Sequence, residues 1–541
     1  MKTIKLYFTL GSLLLIWAPV HHALAQEADT YGGQLGSVNL PVSCNEDAQP
    51  LLKKGLALLH HMTYDGAAQA FAAATEADPQ CGMGYWGEAL TFIHPLWSDP
   101  PTETNFEKGQ SLIDSAKRLE LSEKEMAYLS AVEAYYAAGW SRNESDNLAQ
   151  FDQAWQTVYQ QYPDDLEAAA FYALAHIATA HPSDKTFARQ KQAGAIAEQV
   201  LAQAPDHPGA HHYIIHAYDN PPLAAQALDV ARHYGEVAPA IPHALHMPTH
   251  IFTRLGLWDE SIAWNKRSAT AALNHPMGKA ISLHYLHALD YLAYAYLQRG
   301  EDQKAREVLE TLAALEGPFH VEVATPYTLA AVPARLALER QQWAKAAALE
   351  PKTPHDYPWA QFPAIEAITH FARALGAARS GSLHVAREAL DKLATLQEQA
   401  AATSAYWAKQ VEIQHQTAAA WLAYEEGKRD EALAMMQQAA TLEASTEKHP
   451  VTPGEVLPAR ELLGDMFLEM GRYEDAQAAY EASLQRSPNR FNSLYGAGRA
   501  AEMSGDRTTA VHYYAHLVDM TSNVDTELAR LEHARAFLKA N

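Results

Sequence analysis

A 34-residue interval runs through the middle of this 541-residue chain and constrains its fold more than any other feature. Pro205 recurs as Pro239, His212 as His246 and His216 as His250, and Ala227 is answered by Ser261. A period of that length holds two helices and their turns. Such a unit is too small to bury its own apolar face, so units must stack into an array. The first helix of each unit carries two histidines four residues apart. That spacing puts both imidazoles on one helix face, with Cβ atoms ~5–6 Å apart. Stacking in register then brings His212, His216, His246 and His250 onto one strip.

The same pattern recurs towards both ends. Gly55, Leu58, Ala67, Phe71, Ala74 and Pro79 form one unit, and Ala293, Tyr296, Gly300 and Ala305 mark another. Gly464, Gly471, Ala476 and Tyr480 are followed, one period later, by Gly498, Gly505, Ala510 and Tyr514. Small residues at these places let helices approach closely, Phe71 fills the gap between units, and proline ends the second helix. In these positions the chain resembles the tetratricopeptide repeat family. The resemblance implies an all-α, right-handed solenoid of about a dozen helical hairpins, whose first helices line a concave groove through positions 2, 5, 9, 12 and 13 of each repeat. The chain is also similar to exported bacterial members of that family with HPLW, HMPTHIF and LHALDYL segments, here at 94–97, 246–252 and 286–292.

Residues 1–25 read as a signal peptide: Lys2 and Lys5 precede an apolar run from Leu6 to Val20, and Ala23-Leu24-Ala25 fits a cleavage site. Residues 26–46 form an irregular leader, 47–165 N-terminal hairpins, and 166–317 the histidine-rich central repeats. Divergent hairpins follow at 318–454, then C-terminal repeats and a capping helix at 455–541. This organisation predicts an exported protein, periplasmic or extracellular. No membrane span is expected after signal removal, because no later run approaches ~20 apolar residues. Cys44 and Cys81 are the only cysteines, and export would favour a disulfide between them. Removing Lys2 and Lys5 takes the formal charge from −23 to −25. A surface that acidic repels phosphate backbones, so nucleic acid is excluded as an expected partner.

The repeat frame puts His212 and His246 at position 5, His216 and His250 at position 9, and Asp219 at position 12. His287 and Asp290 take positions 2 and 5 of the next repeat, and His176 aligns with His216 once one residue is inserted. His60 and His94 share position 13. Histidines 207, 233, 275, 384, 449 and 512 break the pattern and read as loop or surface residues. Three readings of the groove histidines stay open. They are hydrogen-bonded structural residues, or they hold a transition metal (Zn, Cu, Fe or Ni), or they line a groove for a carboxylate-bearing peptide or small acid. The candidate metal set is His212, His216, Asp219, His246, His250, His287, Asp290 and His176. No HExxH, glycine-rich phosphate loop or GxSxG element is present. Glu455, Arg460, Glu461 and Asp465 read as a solvated charged face. Two function classes follow. The first is an exported scaffold whose groove binds a peptide, protein or small-molecule ligand and carries a His/Asp metal site. The second is a metal-dependent enzyme, hydrolytic or redox, using the same cluster.

Overall fold

The computed structural model describes residues 33–97, 99–141, 144–275 and 279–540. The expected signal peptide (1–25) and residues 26–32 of the leader lie outside the described residues. Among the described residues the chain is all α-helical, apart from one isolated bridge between Ile281 and Phe319. No described helix is long and apolar enough to cross a membrane.

Local chemistry sets the helix ends. Ser122 and Glu125 form a reciprocal capping box at the start of Glu123–Ala137, and Asp165 accepts from the backbone of Glu167 and Ala168. Pro208 opens the next central helix, where the His207 ring accepts from Ala210 N. Gly300, at φ 71°, closes Leu283–Arg299 in the left-handed conformation. Packing between units follows the small-residue positions. A Cβ on Gly55 or Gly87 would stand 2.9 or 2.3 Å from the Phe71 ring, so Phe71 is wedged between consecutive repeats. Tyr480 sits likewise between Gly464 and Gly496.

Cys44 and Cys81 are bridged across 37 residues. The described part of the leader has no regular structure, yet it is strapped down. Ser37 N donates to Asp206 O (3.0 Å), Asn39 N to Glu167 Oε1 (2.9 Å), and Ser43 N and Oγ to the Glu125 carboxylate (2.7 and 2.6 Å). Closing a loop of this length restricts the unfolded chain by ~4 kcal/mol. Replacing both cysteines by alanine should lower stability by about that amount, read as a drop in urea midpoint with a steeper slope, since the unbridged unfolded chain exposes more surface.

The stack does not remain an open spiral. The segment 448–458 threads into its centre, and the repeats that follow dock back on the central ones. Tyr291 OH donates to the carbonyls of Pro450 (3.2 Å) and Thr452 (3.1 Å), and Tyr327 OH to Thr452 Oγ1 (2.8 Å). Trp258 Nε1 donates to Asn489 O (2.8 Å), and Gln298 Oε1 accepts from Phe491 N (3.0 Å). The Arg490 guanidinium, fully buried, reaches Glu339 (2.8 Å), Glu461 (3.0 Å) and Tyr294 OH (2.9 Å). Two expectations are thereby corrected. The concave face of the central repeats is filled by the chain's own later segments. Glu461 belongs to this interior ion-pair network, not to a solvated face, and Glu455 is paired with Arg486 (3.0 Å). Arg490→Ala would leave two carboxylates in a dry interior. It should cost about 3–5 kcal/mol, measured by chemical denaturation, and more than Arg490→Lys.

Candidate metal centre

Six histidines meet where three consecutive units stack. His212 and His216 come from Pro208–Tyr218, His243 and His246 from Pro242–His246, His250 from Pro248–Arg254 and His287 from Leu283–Arg299. Pro248 interrupts what would otherwise be one helix. His246 and His250, four residues apart, still face each other across the break, while His243 turns towards His212 of the preceding repeat. The rings fall into two trios, His212–His216–His243 and His246–His250–His287. Within each trio the ligand-capable atoms all lie within 4.8 Å of one another. The trios adjoin: ring centroids are 6.2 Å apart for His216 and His250, and 6.4 Å for His243 and His246.

Hydrogen bonding decides where the protons are. His250 Nδ1 faces Asp219 Oδ2 at 2.9 Å, and His246 Nδ1 faces Asn265 Oδ1 at 2.8 Å. Asn265 is oriented by its own amide, which donates to Ser261 O (2.9 Å). Both partners are acceptors, so each Nδ1 carries the proton and each Nε2 of a neutral ring presents a lone pair. Those two Nε2 atoms are 3.1 Å apart with no proton to share. In the other trio His212 Nδ1 donates to His60 O (2.6 Å), so its Nε2 is also unprotonated. That atom stands 3.1 Å from His216 Nε2 and 3.2 Å from His243 Nε2. Buried Nδ1 atoms of His243 and His287 have no hydrogen-bond partner in the protein.

Protonation does not relieve the crowding. Burial, reinforced by the neighbouring rings, holds His212, His243, His246 and His287 well below the usual histidine range and takes His216 down to about 3. Burial also lowers His250, against the pull of Asp219. Burial works against ionisation of Asp219, but Lys448, Arg254 and His250 outweigh it and hold its carboxyl well below the usual range. Arg254 Nε donates to Asp219 Oδ1 (2.8 Å) and Lys448 Nζ to Oδ2 (3.2 Å), so the carboxylate is fixed from three sides.

Two family models, each describing a tetratricopeptide repeat, match residues 287–315 and 457–490. The chain carries tetratricopeptide repeats. The first match begins at His287 itself, and the second covers the repeat whose end carries Arg490. No curated protein matches the chain. Among solved structures, yeast Tom70 aligns at 10% identity over 92% of this chain and 95% of its own, with a TM-score of 0.34. Human IFIT1, in its dimer with PPP-AAAA, aligns at 12% identity over 91% and 99%, with a TM-score of 0.38.

The tetratricopeptide frame distributes the predicted residues unevenly. His212, His216, His246, His250 and His287 converge. Asp219 stands behind His250 as its hydrogen-bond acceptor. Asp290 is drawn away: it is fully buried against the Arg335 guanidinium, which also donates to Thr452 Oγ1 and Gly454 O (both 2.9 Å). Arg335 needs that carboxylate as its buried counter-charge. His176 lies outside both trios, with Nδ1 3.0 Å from Asp152 Oδ1 and Arg189 beside it. His243 escaped the periodic reading because its partner position in the preceding repeat, Gly209, carries no ring. The cue was a third histidine three residues before His246. His207 and His449, expected on loops or the surface, are both buried.

A third cluster, His60–Glu167–His207, has a different character. His60 Nε2 meets Glu167 Oε2 at 2.8 Å, and its Nδ1 meets Tyr213 OH at 2.8 Å. His207 Nδ1 accepts from Ala210 N, which leaves Nε2–H directed at the same carboxylate, 3.3 Å away. Each of these contacts has a proton to fill it. With an accepting nitrogen on each ring both imidazoles are neutral, and the cluster is a hydrogen-bonded network around the Glu167 carboxylate that joins the first repeat to the central ones.

A cleft opens onto both trios through His216, His243, His250 and His287. Its walls are apolar: Leu96 and Trp97 from the HPLW segment, Met247, Leu283, Val323 and Val451. Trp97 stands over His243 and His284, at 5.5 and 6.0 Å between ring centroids. Trp97, Leu283, His284 and Glu322 also line a larger outer cavity that contains Asp65, His94, Asp99 and His320.

Proposed function

We propose that this repeat protein binds two transition-metal ions, one in each histidine trio, at the floor of an apolar cleft that admits a small molecule. The observation that carries the reading is the pair of facing Nε2 lone pairs on His246 and His250. Two such atoms at 3.1 Å repel unless a cation lies between them. An ion ~2.05 Å from each nitrogen would subtend an angle of ~100°, within the range of three- and four-coordinate sites. Outer hydrogen bonds from Nδ1 to a carboxylate, an amide and a carbonyl support the same reading, since ligating histidines are generally oriented in this way.

Three neutral imidazoles suit Zn, Cu, Fe or Ni, and leave the ion's charge uncompensated and a coordination position open. An ion so held would act as a Lewis acid or redox centre on a molecule in the cleft. The chain's own contributions are the orientation of each ring, the exclusion of bulk water by Trp97 and Leu96, and the fixed charges of Asp219, Arg254 and Lys448 behind His250. The filled interior favours a small molecule over a peptide as the occupant. Export belongs to the same proposal, and the Cys44–Cys81 bridge supports an oxidising compartment. The test is the metal content of the purified chain, by elemental analysis, compared with His216→Ala, His250→Ala and the double variant.

A further inference from the structure

The segment 448–458 has two sides. His449, Pro450 and Val451 face the histidine cleft, whereas Lys448, Thr452 and Val456 face a separate cavity. The two spaces share no lining residue. The second is walled by the rings of Tyr327, Phe371, Tyr406 and Trp407. Along one edge runs a polar stripe from the helix Ala405–Glu425: Gln410, Gln414 and Thr417, at successive intervals of four and three residues, hence on one face.

Three atoms of that stripe, Gln410 Nε2, Gln414 Oε1 and Thr417 Oγ1, are buried and have no hydrogen-bond partner in the protein. Each such atom destabilises the fold unless something in the cavity pairs with it. The charged groups at the rim are already engaged. Lys448 donates to Asp219 (3.2 Å), Glu455 pairs with Arg486 (3.0 Å), and Glu443 Oε2 accepts from Ala459 N (3.0 Å). An ionic ligand would therefore be desolvated without a counter-charge. Flat aromatic walls combined with donors and acceptors along one edge are what a ring with a polar rim requires.

We infer that this cavity binds an uncharged single-ring molecule whose edge carries both hydrogen-bond donors and acceptors. Two sources share that chemistry, a pyranose sugar and a planar amide heterocycle. N-acetylglucosamine and uracil serve as probes for them, observed by saturation-transfer difference NMR on the full chain. One of the two should bind saturably below ~20 mM. Gln414→Leu and Thr417→Val should each weaken that binding at least tenfold. Their thermal midpoints should hold or rise, because an unpaired buried polar atom is replaced by an apolar one. Gln410→Met, at a half-buried position, gives the same readout if either variant fails to fold. Saturable binding of the sugar alone assigns the carbohydrate source, and of uracil alone the heterocyclic one. The inference is overturned if neither probe binds, or if the variants bind unchanged.

Discussion

Stripped by a chelator and titrated with Cu(II) or Zn(II), the chain is expected to take up two ions, His250→Ala or His216→Ala one, and the double variant none. The stoichiometry follows from geometry, because each substitution removes a ligand from one trio and leaves the other complete. Copper should bind more tightly than zinc, as it does generally at nitrogen sites. Asp219→Asn is the subtler variant. It keeps an acceptor for His250 Nδ1 but leaves Arg254 and Lys448 without their carboxylate. Loss of an outer partner of this kind should weaken the second site about 10–100-fold while the first is unaffected. Binding should also raise thermal stability, by ~2.7 kcal/mol per site at a hundredfold excess over Kd. If no preparation, loaded or as purified, retained either metal at micromolar concentration, the facing rings would have to be explained by protonation instead, and the proposed function would fall.

The metal-free chain is expected to lose stability steeply between pH 7 and pH 5. Burial pushes His61 and His449 down to about 3 and His284 to about 4, and the trio histidines share the direction. Folded, these rings take up protons only at lower pH than they do unfolded. Between about pH 3 and 6.5 the unfolded chain therefore holds more protons, and acid draws the equilibrium towards it. The contribution is complete above pH 6.5 and is lost as pH falls towards the folded values. At pH 5 a ring with a folded value near 3 costs about 2 kcal/mol. Glu322 and Glu443, which burial pushes up to about 7, act with the opposite sign by about 2 kcal/mol each over this range. The histidines prevail by number, and their sum rivals the whole stability of an ordinary domain. Circular dichroism melts in chelator should show a midpoint at pH 5 at least ~10 °C below that at pH 7.5. His61→Gln keeps a donor for Leu35 O, to which His61 Nε2 lies at 3.0 Å, and should flatten the profile by roughly one ring's share. A level profile would mean that the buried histidines take up protons over the same pH range in the folded and the unfolded chain.

The repeat architecture was legible because it depends on neighbours in sequence. Gly55 against Phe71, and Gly464 against Tyr480, follow from the 34-residue template, since each contact joins the two helices of one unit. The pairing of His212 with His216 and of His246 with His250 was legible for the same reason: a helix puts residues four apart on one face. Asp290 was misread. Its repeat position aims it inward, but the group it meets, Arg335, lies in another unit. His243 was missed because the period gives it no partner ring: the corresponding position of the preceding repeat is Gly209.

By itself, then, the sequence determined the helices, their stacking order and the strip on which the imidazoles lie, all of which arise from short-range periodicity and local capping. Tertiary structure alone decided that this strip would be roofed over. The 448–458 segment and the Arg490 network approach the central repeats from about 200 residues away, and no local pattern encodes where a curved stack closes on itself. That closure removes water from the histidines, turning groove residues into a buried site with lone pairs face to face.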